Sequence, residues 1–330
     1  MYQPSFFEYA MRGEGGRRTR KFLEEMKGLI PYKEIEAMLY ERGIYKRTPS
    51  HRGGRPRVPA SIMIGILFLQ SWYNLSDPMA EEMIHDRLSF REFLGIKEAR
   101  EIPDETTICN FRNILVKQGL MEEIFEIVNA LMRERNLILD TGTLVDATLI
   151  HSSEPKRRRD GKGEVISNEA ADPDASYTSK RGRKYHGFKF HIGTDRNGMI
   201  KRVSTTTAKA SDTKEFDRLT KGERHAAFAD SAYMSRERKR TLRKNNIFVG
   251  IIERRVRGQK ELRPKQKRNN RRFAPIRSFV EHSFATLKRW MGYTQTRYRG
   301  LHKVSQHHFL LAASCNLRRA PGVKARLKAI

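Results

Sequence analysis

Cysteine is nearly absent from this chain. Cys109 and Cys315 stand alone, far apart and without Cys-x-x-Cys or Cys–His spacing, which excludes a disulfide scaffold and a zinc module. Long apolar runs are missing too: the longest, Ile62 to Leu69, is too short to cross a bilayer. The first residues, Met-Tyr-Gln-Pro-Ser-Phe-Phe-Glu, lack the basic flank and apolar core of a secretion signal, so a cytoplasmic, nucleoid-associated protein is expected. Acidic residues are scarce relative to basic ones, 38 against 66, leaving a formal charge of +28. Such an excess repels itself and calls for a polyanion, most simply nucleic acid. A membrane surface is the competing partner, but no basic amphipathic helix with an aromatic anchor is visible. Hydrophobic content of 38% still supports a folded chain of two or three domains.

Residues 1–136 carry helical periodicity. Phe22, Leu23, Met26 and Ile30 share one face, and Ile35, Met38 and Leu39 another. The segment 46–57 is basic and broken by Gly and Pro; Arg55 and Arg57 suit a phosphate backbone or minor groove. An apolar helix follows from Pro59 to Trp72. Asp104 suits an N-cap for a helix from Thr106 to Gln118, whose polar side holds Asn110, Arg112 and Asn113. With the helix from Leu120 to Arg135 it suggests a helix-turn-helix-like, all-α DNA-binding and dimerisation domain.

Past Asn136 the periodicity shifts toward two, which opens a second domain at 137–330. Asp146 interrupts the β-rich run Thr143 to Ile150, and Asp230 closes the apolar run from Ala226. Gly187–Thr194 and Met199–Thr206 form an expected antiparallel pair, and Ile247–Ile252 a further strand. Two basic insertions, 151–184 and 253–275, read as excursions from the core, the latter disordered unless a polyanion neutralises it and carrying Arg271 and Arg272. A helix from Ile276 to Met291 begins after Pro275; Ile276, Val280, Phe284, Leu287 and Met291 form its apolar stripe. Arg277, Glu281 and Lys288 line the edge of that stripe. This order of elements is that of an α/β, ribonuclease-H-like core: a mixed five-stranded sheet with flanking helices. In it the middle of the first strand, the end of the fourth and the late helix converge, bringing Asp146, Asp230 and Glu281 together. Three carboxylates repel one another unless a cation lies between them, and hard oxygen donors favour Mg²⁺ or Mn²⁺.

The chain resembles the DDE transposases of bacterial insertion sequences, most closely the insertion-sequence family numbered five. The likeness rests on Gln70-Ser-Trp-Tyr-Asn-Leu-Ser-Asp77, Pro103 to Ile108 with Asn110-Phe-Arg112, Gly142 to Thr148, His191-Ile-Gly193, Ala229-Asp230, Val280-Glu-His282 with Lys288-Arg289, and Arg297-Tyr-Arg-Gly-Leu301. Of the family's Tyr, Arg, Glu, Lys signature, Arg277, Glu281 and Lys288 match, while Ala274 replaces the Tyr. The resemblance implies catalysis by Asp146, Asp230 and Glu281, with two Mg²⁺ or Mn²⁺ ions per site: Asp146 bridges both ions and the other two acids hold one each. It implies Arg277, Lys288, Arg289 and His282 near phosphate, with Arg55, Arg57, Arg112, Arg271 and Arg272 as further DNA contacts. The implied substrate is double-stranded DNA: terminal inverted repeats, cut at their 3′ ends and joined to target DNA by a homodimer. A nuclease or resolvase of the same fold, and a DNA-binding regulator, are the competing readings.

Overall fold

The computed structural model describes residues 17–45, 57–153, 158–159, 165–167, 172–180, 182–233, 235–255 and 258–329. The expected linker therefore lies outside the described residues up to position 56, Arg55 included.

Among the described residues seven α-helices come first: α1 (Arg17–Lys27), α2 (Tyr32–Glu41), α3 (Ala60–Tyr73), α4 (Asp77–Asp86), α5 (Leu88–Leu94), α6 (Glu105–Lys117) and α7 (Leu120–Glu134). Helix α3 is apolar all round and accordingly buried nearly all round, from Ala60 to Trp72. It stops at Asn74, whose left-handed φ of 54° closes the last turn. Asp104 caps α6 as its sequence suggests, its carboxylate accepting from the Thr107 amide at 2.6 Å. Helix α7 lays Ile124, Phe125, Val128 and Met132 into the core.

The second half builds a mixed sheet. Strands β1 (Thr143–His151), β4 (Ser176–Lys180), β5 (Arg183–Thr194), β6 (Ile200–Thr207), β7 (Ala226–Ala229) and β8 (Phe248–Ile251) belong to it; β2 (Arg158–Arg159) and β3 (Val165–Ser167) form a separate ribbon. Strand β1 pairs antiparallel with β5, which pairs antiparallel with β6, while β7 and β8 run parallel to β1. Helices α8 (Glu215–Leu219) and α9 (Arg236–Lys244) lie on the crossovers. This is the ribonuclease-H-like order, with one strand more than the five expected. The extra strand, β4, comes from the insertion 151–184 and pairs with the first part of β5. Inside β5, where its pairing with β4 gives way to its pairing with β1, stands Gly187, whose φ is 151° and where a Cβ would stand 2.1 Å from the Ile150 carbonyl oxygen.

Two further helices close the structure: α10 (Pro264–Ala285) and α11 (Leu301–Lys328). Here the sequence reading needs correction. Pro275 does not precede the helix but lies inside it, and the basic block before it is ordered from Pro264. The stretch is held from both sides: Asn270 exchanges hydrogen bonds with the Glu253 backbone, both at 2.8 Å, and Phe273 packs edge-on against Phe228 and Phe248. Those anchors outweigh the backbone hydrogen bond that a proline forfeits. After Ala285 the helix widens into a π-helical turn, Thr286–Trp290, with the Met291 amide bonded to the Thr286 carbonyl at 3.0 Å.

The even-numbered face of β1, with Leu144 and Ile150, joins Val280, Phe309, Leu310 and Trp72 in one apolar cluster running from the helical region to the sheet. The odd face, with Val145, joins Phe216, Ala227 and Tyr233. Helix α11 spans both regions: the Trp72 indole donates to the Ser314 carbonyl at 2.9 Å, and Phe309 meets Phe125 at 5.9 Å.

Candidate active site

Register brings the first two acids together. In the parallel pair, Val145 stands opposite Ala229, so Asp146 and Asp230 are the next residues along neighbouring strands, roughly 4.8 Å apart at the backbone. Asp146 shares its face of β1 with Leu144 and Ile150, the face that α10 covers. Helix α10 buries Val280 and Ser283 there and leaves Glu281 at the rim. Ser283 locks the helix in rotation by donating to the Gly198 carbonyl at 2.6 Å.

Arg277 ties the acids. One guanidinium nitrogen stands 3.3 Å from Asp230 Oδ1, and another donates to Glu281 Oε1 at 3.0 Å. Burial works against its charge, but the carboxylates of Asp146, Asp230 and Glu281 prevail and raise its pKa. Among the described residues no three His, Cys, Asp or Glu side chains are close enough together, as they stand, to hold an ion. The acids are gathered around a guanidinium instead.

Asp146 is the perturbed member. Burial pushes its carboxyl from 3.8 up to about 6. The Ala147 amide, donating at 2.8 Å, and Arg277 pull it back, while Asp230 adds to the rise. Asp230 accepts from the Ser231 amide at 2.6 Å. Tyr233, in the cluster of the odd face, is 1% exposed; burial and then the Asp146 carboxylate raise its hydroxyl well above the usual tyrosine range.

The expected phosphate contacts divide. Lys288 lies on the π-helical turn and donates to the Leu149 carbonyl, on the strand of Asp146, at 3.3 Å; burial and then Lys180 lower its pKa. His282 and Arg289 are exposed, His282 resting edge-on against Phe279 at 5.9 Å. Arg271 and Arg272 are exposed on the first half of α10. Arg57 reaches back to the Ile44 carbonyl at 2.5 Å and stacks over Tyr45, so its guanidinium is engaged within the helical region. Arg112 requires correction. It is 8% exposed, bonded to Asp77 and stacked on Tyr298 at 5.3 Å, and faces no solvent on which DNA could lie. A buried ion pair absorbs it because Gln70 and Asp77 fold back onto α6. Sequence reasoning missed Lys180, whose charge acts on both Asp146 and Lys288. Its basic run was visible, but not the pairing of β4 with β5 that brings Lys180 within electrostatic reach of Asp146.

The chain belongs to the transposase DDE domain family, which it matches over residues 139–317. Residues 14–113 match a second family, described as a transposase domain (DUF772). The chain is thus an enzyme of the DDE transposase class, whose members act on DNA and use divalent metal ions. Among solved structures it is similar to the crystal structure of the Mos1 strand transfer complex, at 10% identity and a TM-score of 0.27, covering 99% of this chain and 98% of that one. No described helix is long and apolar enough to cross a membrane.

Proposed function

We infer that this protein is the transposase of an insertion sequence of the family numbered five, and that Asp146, Asp230 and Glu281 are its catalytic acids. The observation that carries the reading is the side-by-side register of Asp146 and Asp230 beneath the rim where α10 presents Glu281. The donor set fits a divalent ion: three carboxylates, one of which burial and then the neighbouring Asp230 carboxylate make costly to ionise without a nearby cation. For all three to bind an ion, the Arg277 side chain turns out of the group it now bridges.

Two Mg²⁺ or Mn²⁺ ions, when bound, lower the pKa of an attacking oxygen and stabilise the leaving one. The chain's own groups do the rest. Asp146, Asp230 and Glu281 would hold the ions, and Arg277 and Lys288 would meet phosphate oxygens. Exposed Lys265, Lys267, Arg268, Arg271 and Arg272 extend that positive track along α10. From Lys267 to Glu281 it runs about 21 Å. In the first step water attacks phosphorus, the P–O3′ bond breaks, and the released 3′ oxygen takes a proton. In the second, that 3′ hydroxyl loses its proton, attacks a target phosphate and frees a target 3′ hydroxyl. Residues 1–136 would bind the terminal inverted repeats and dimerise, and 137–330 would cut and join, with a homodimer pairing two ends.

The test is a labelled duplex carrying the element's own end, incubated with protein and Mg²⁺ or Mn²⁺. Metal-dependent nicking at the end, lost in Glu281→Gln and Asp146→Asn while binding persists, is expected. Products joined to plasmid separate a transposase from a nuclease. Nicking that survives both substitutions overturns the assignment.

A further inference from the structure

Three stretches on which the family resemblance rests, Gln70 to Asp77, Arg112 and Arg297 to Leu301, lie far apart in sequence and take no part in the chemistry above. In the fold they meet on one segment, Met291 to Leu301, which leaves the helix of Glu281. This segment first runs beside the end of β1. The His151 amide donates to the Thr294 carbonyl at 3.1 Å, and the Thr296 amide donates to the His151 carbonyl at 2.8 Å. It thus extends the sheet five residues beyond Asp146.

The helical region clasps the same segment from the other side. Asn74 donates from its side-chain amide to the Gly292 carbonyl at 3.2 Å, and its backbone and side-chain oxygens both accept from Arg297. Gly292 turns there with a φ of 63°, and a Cβ on it would come within 3.2 Å of the Asn74 amide. One step on, Tyr298 lies under the Arg112 guanidinium, which Asp77 holds. The far end is fixed as well: Asp172 accepts from the Gly300 amide at 2.8 Å and Asp174 from the Leu301 amide at 2.7 Å.

We propose that residues 291–301 form a strap that sets the spacing between the helix of Glu281 and the strand of Asp146. Asn74, Arg297, Arg112 and Tyr298 are then positioning residues, through which the helical region holds the acids in place. The reason is geometric. Glu281 and Asp146 sit on separate elements, and shared coordination tolerates errors of only about 0.5 Å between them. After Ala285 the regular helical ladder gives way to a π-helical turn, so the geometry of α10 is not carried by one continuous ladder into the segment that follows. The strap adds bonds to β1 on one side and to α3 on the other. Its clasp at Asn74 is polar and exposed, so it constrains position more than it stabilises the fold.

This proposal rests on the catalytic reading above, and its test separates the two. Asn74→Gly keeps the left-handed backbone and removes the side-chain clasp; Arg297→Met removes the other half; Arg297→Lys restores a donor. In full-length, metal-free protein, amide hydrogen exchange at His151 should quicken tenfold or more in Asn74→Gly and Arg297→Met, with the melting temperature unchanged. In the end-cleavage assay the Mn²⁺ concentration for half-maximal rate should rise several-fold and the rate at saturating DNA fall. Affinity for the DNA end should stay as in wild type, and Arg297→Lys should recover most of the loss. Exchange and cleavage that match wild type in both variants overturn the strap, as does a parallel loss of melting temperature, DNA affinity and rate. A wild type that never cuts sinks the catalytic reading, and the exchange measurement then decides on the strap alone.

Discussion

Replacing Asp146 by Asn should make the protein more stable while removing its activity. Burial is the largest cause of the raised carboxyl, from 3.8 to about 6, and Asp230 adds to it. In the unfolded chain the group ionises near 3.8, so the folded state holds its proton more tightly. Below about pH 4 both states are protonated and ionisation costs the fold nothing. As pH rises through about 6 the native carboxylate ionises where it is poorly solvated, and stability is lost. The difference, at 1.36 kcal/mol for each tenfold change in acidity, is about 3 kcal/mol. Asn keeps an oxygen for the Ala147 amide and carries no charge. In chelator, thermal melts of Asp146→Asn at pH 8 should lie roughly 5 °C above wild type. The gap should shrink to near zero by about pH 4, and added Mn²⁺ should close it at pH 8 by stabilising the wild type alone. An Asn variant that melts below wild type at pH 8, or a gap independent of pH, refutes the reasoning.

Arg277→Met frees Asp230 and Glu281 from their bridge, so calorimetry should show tighter Mn²⁺ binding in the absence of DNA, even as end cleavage falls about 100-fold. Weaker binding would mean that Arg277 helps to build the ion site instead. Arg112→Met leaves the half-buried Asp77 with only Gln70 to satisfy it and should cost about 1–3 kcal/mol in chemical denaturation. The salt dependence of DNA binding should be untouched by that change, whereas Arg271→Gln with Arg272→Gln should lower the slope by about 2. Gly187→Ala drives a Cβ into the Ile150 carbonyl and should destabilise by more than about 3 kcal/mol; a melt within a degree of wild type would remove the close approach from that position.

Most of the sheet was legible because each element announces itself locally. The turn between β5 and β6 is one case: Asp195 accepts from the amides of Asn197 and Met199, which is the usual work of an Asp in a tight turn. The apolar stripe that runs along α10 and through the π-helical turn is another, with Val280, Leu287 and Met291 each at 1% exposure or less. What local rules miss is set by distant partners. Pro275 reads as a helix start, and only the pairing of Asn270 with Glu253 and the seat of Phe273 carry the helix past it. Arg112 reads as a polar-face cation because Asp77 and Tyr298 come from outside its helix. Lys288 sits seven residues after Glu281, and the π-helical turn that carries it has no signal in the spacing. The Arg277–Glu281 pair follows from spacing alone, but its bond to Asp230 requires the parallel register of β1 and β7.

The last helix gives the chain a temporal order. Trp72 finds its hydrogen-bond acceptor in Ser314, the Met121 amide bonds to Gln306, and Phe125 meets Phe309. While the ribosome is still short of these residues, the first seven helices have been made but lack the surface that completes their packing. A chain released at residue 300 should accordingly melt without a cooperative transition, and a sharp one would show that the early helices close on their own. The helical region therefore completes its packing only once residues 301–328 have been made, and a copy broken before them carries Asp146, Asp230 and Glu281 without the body that aims them.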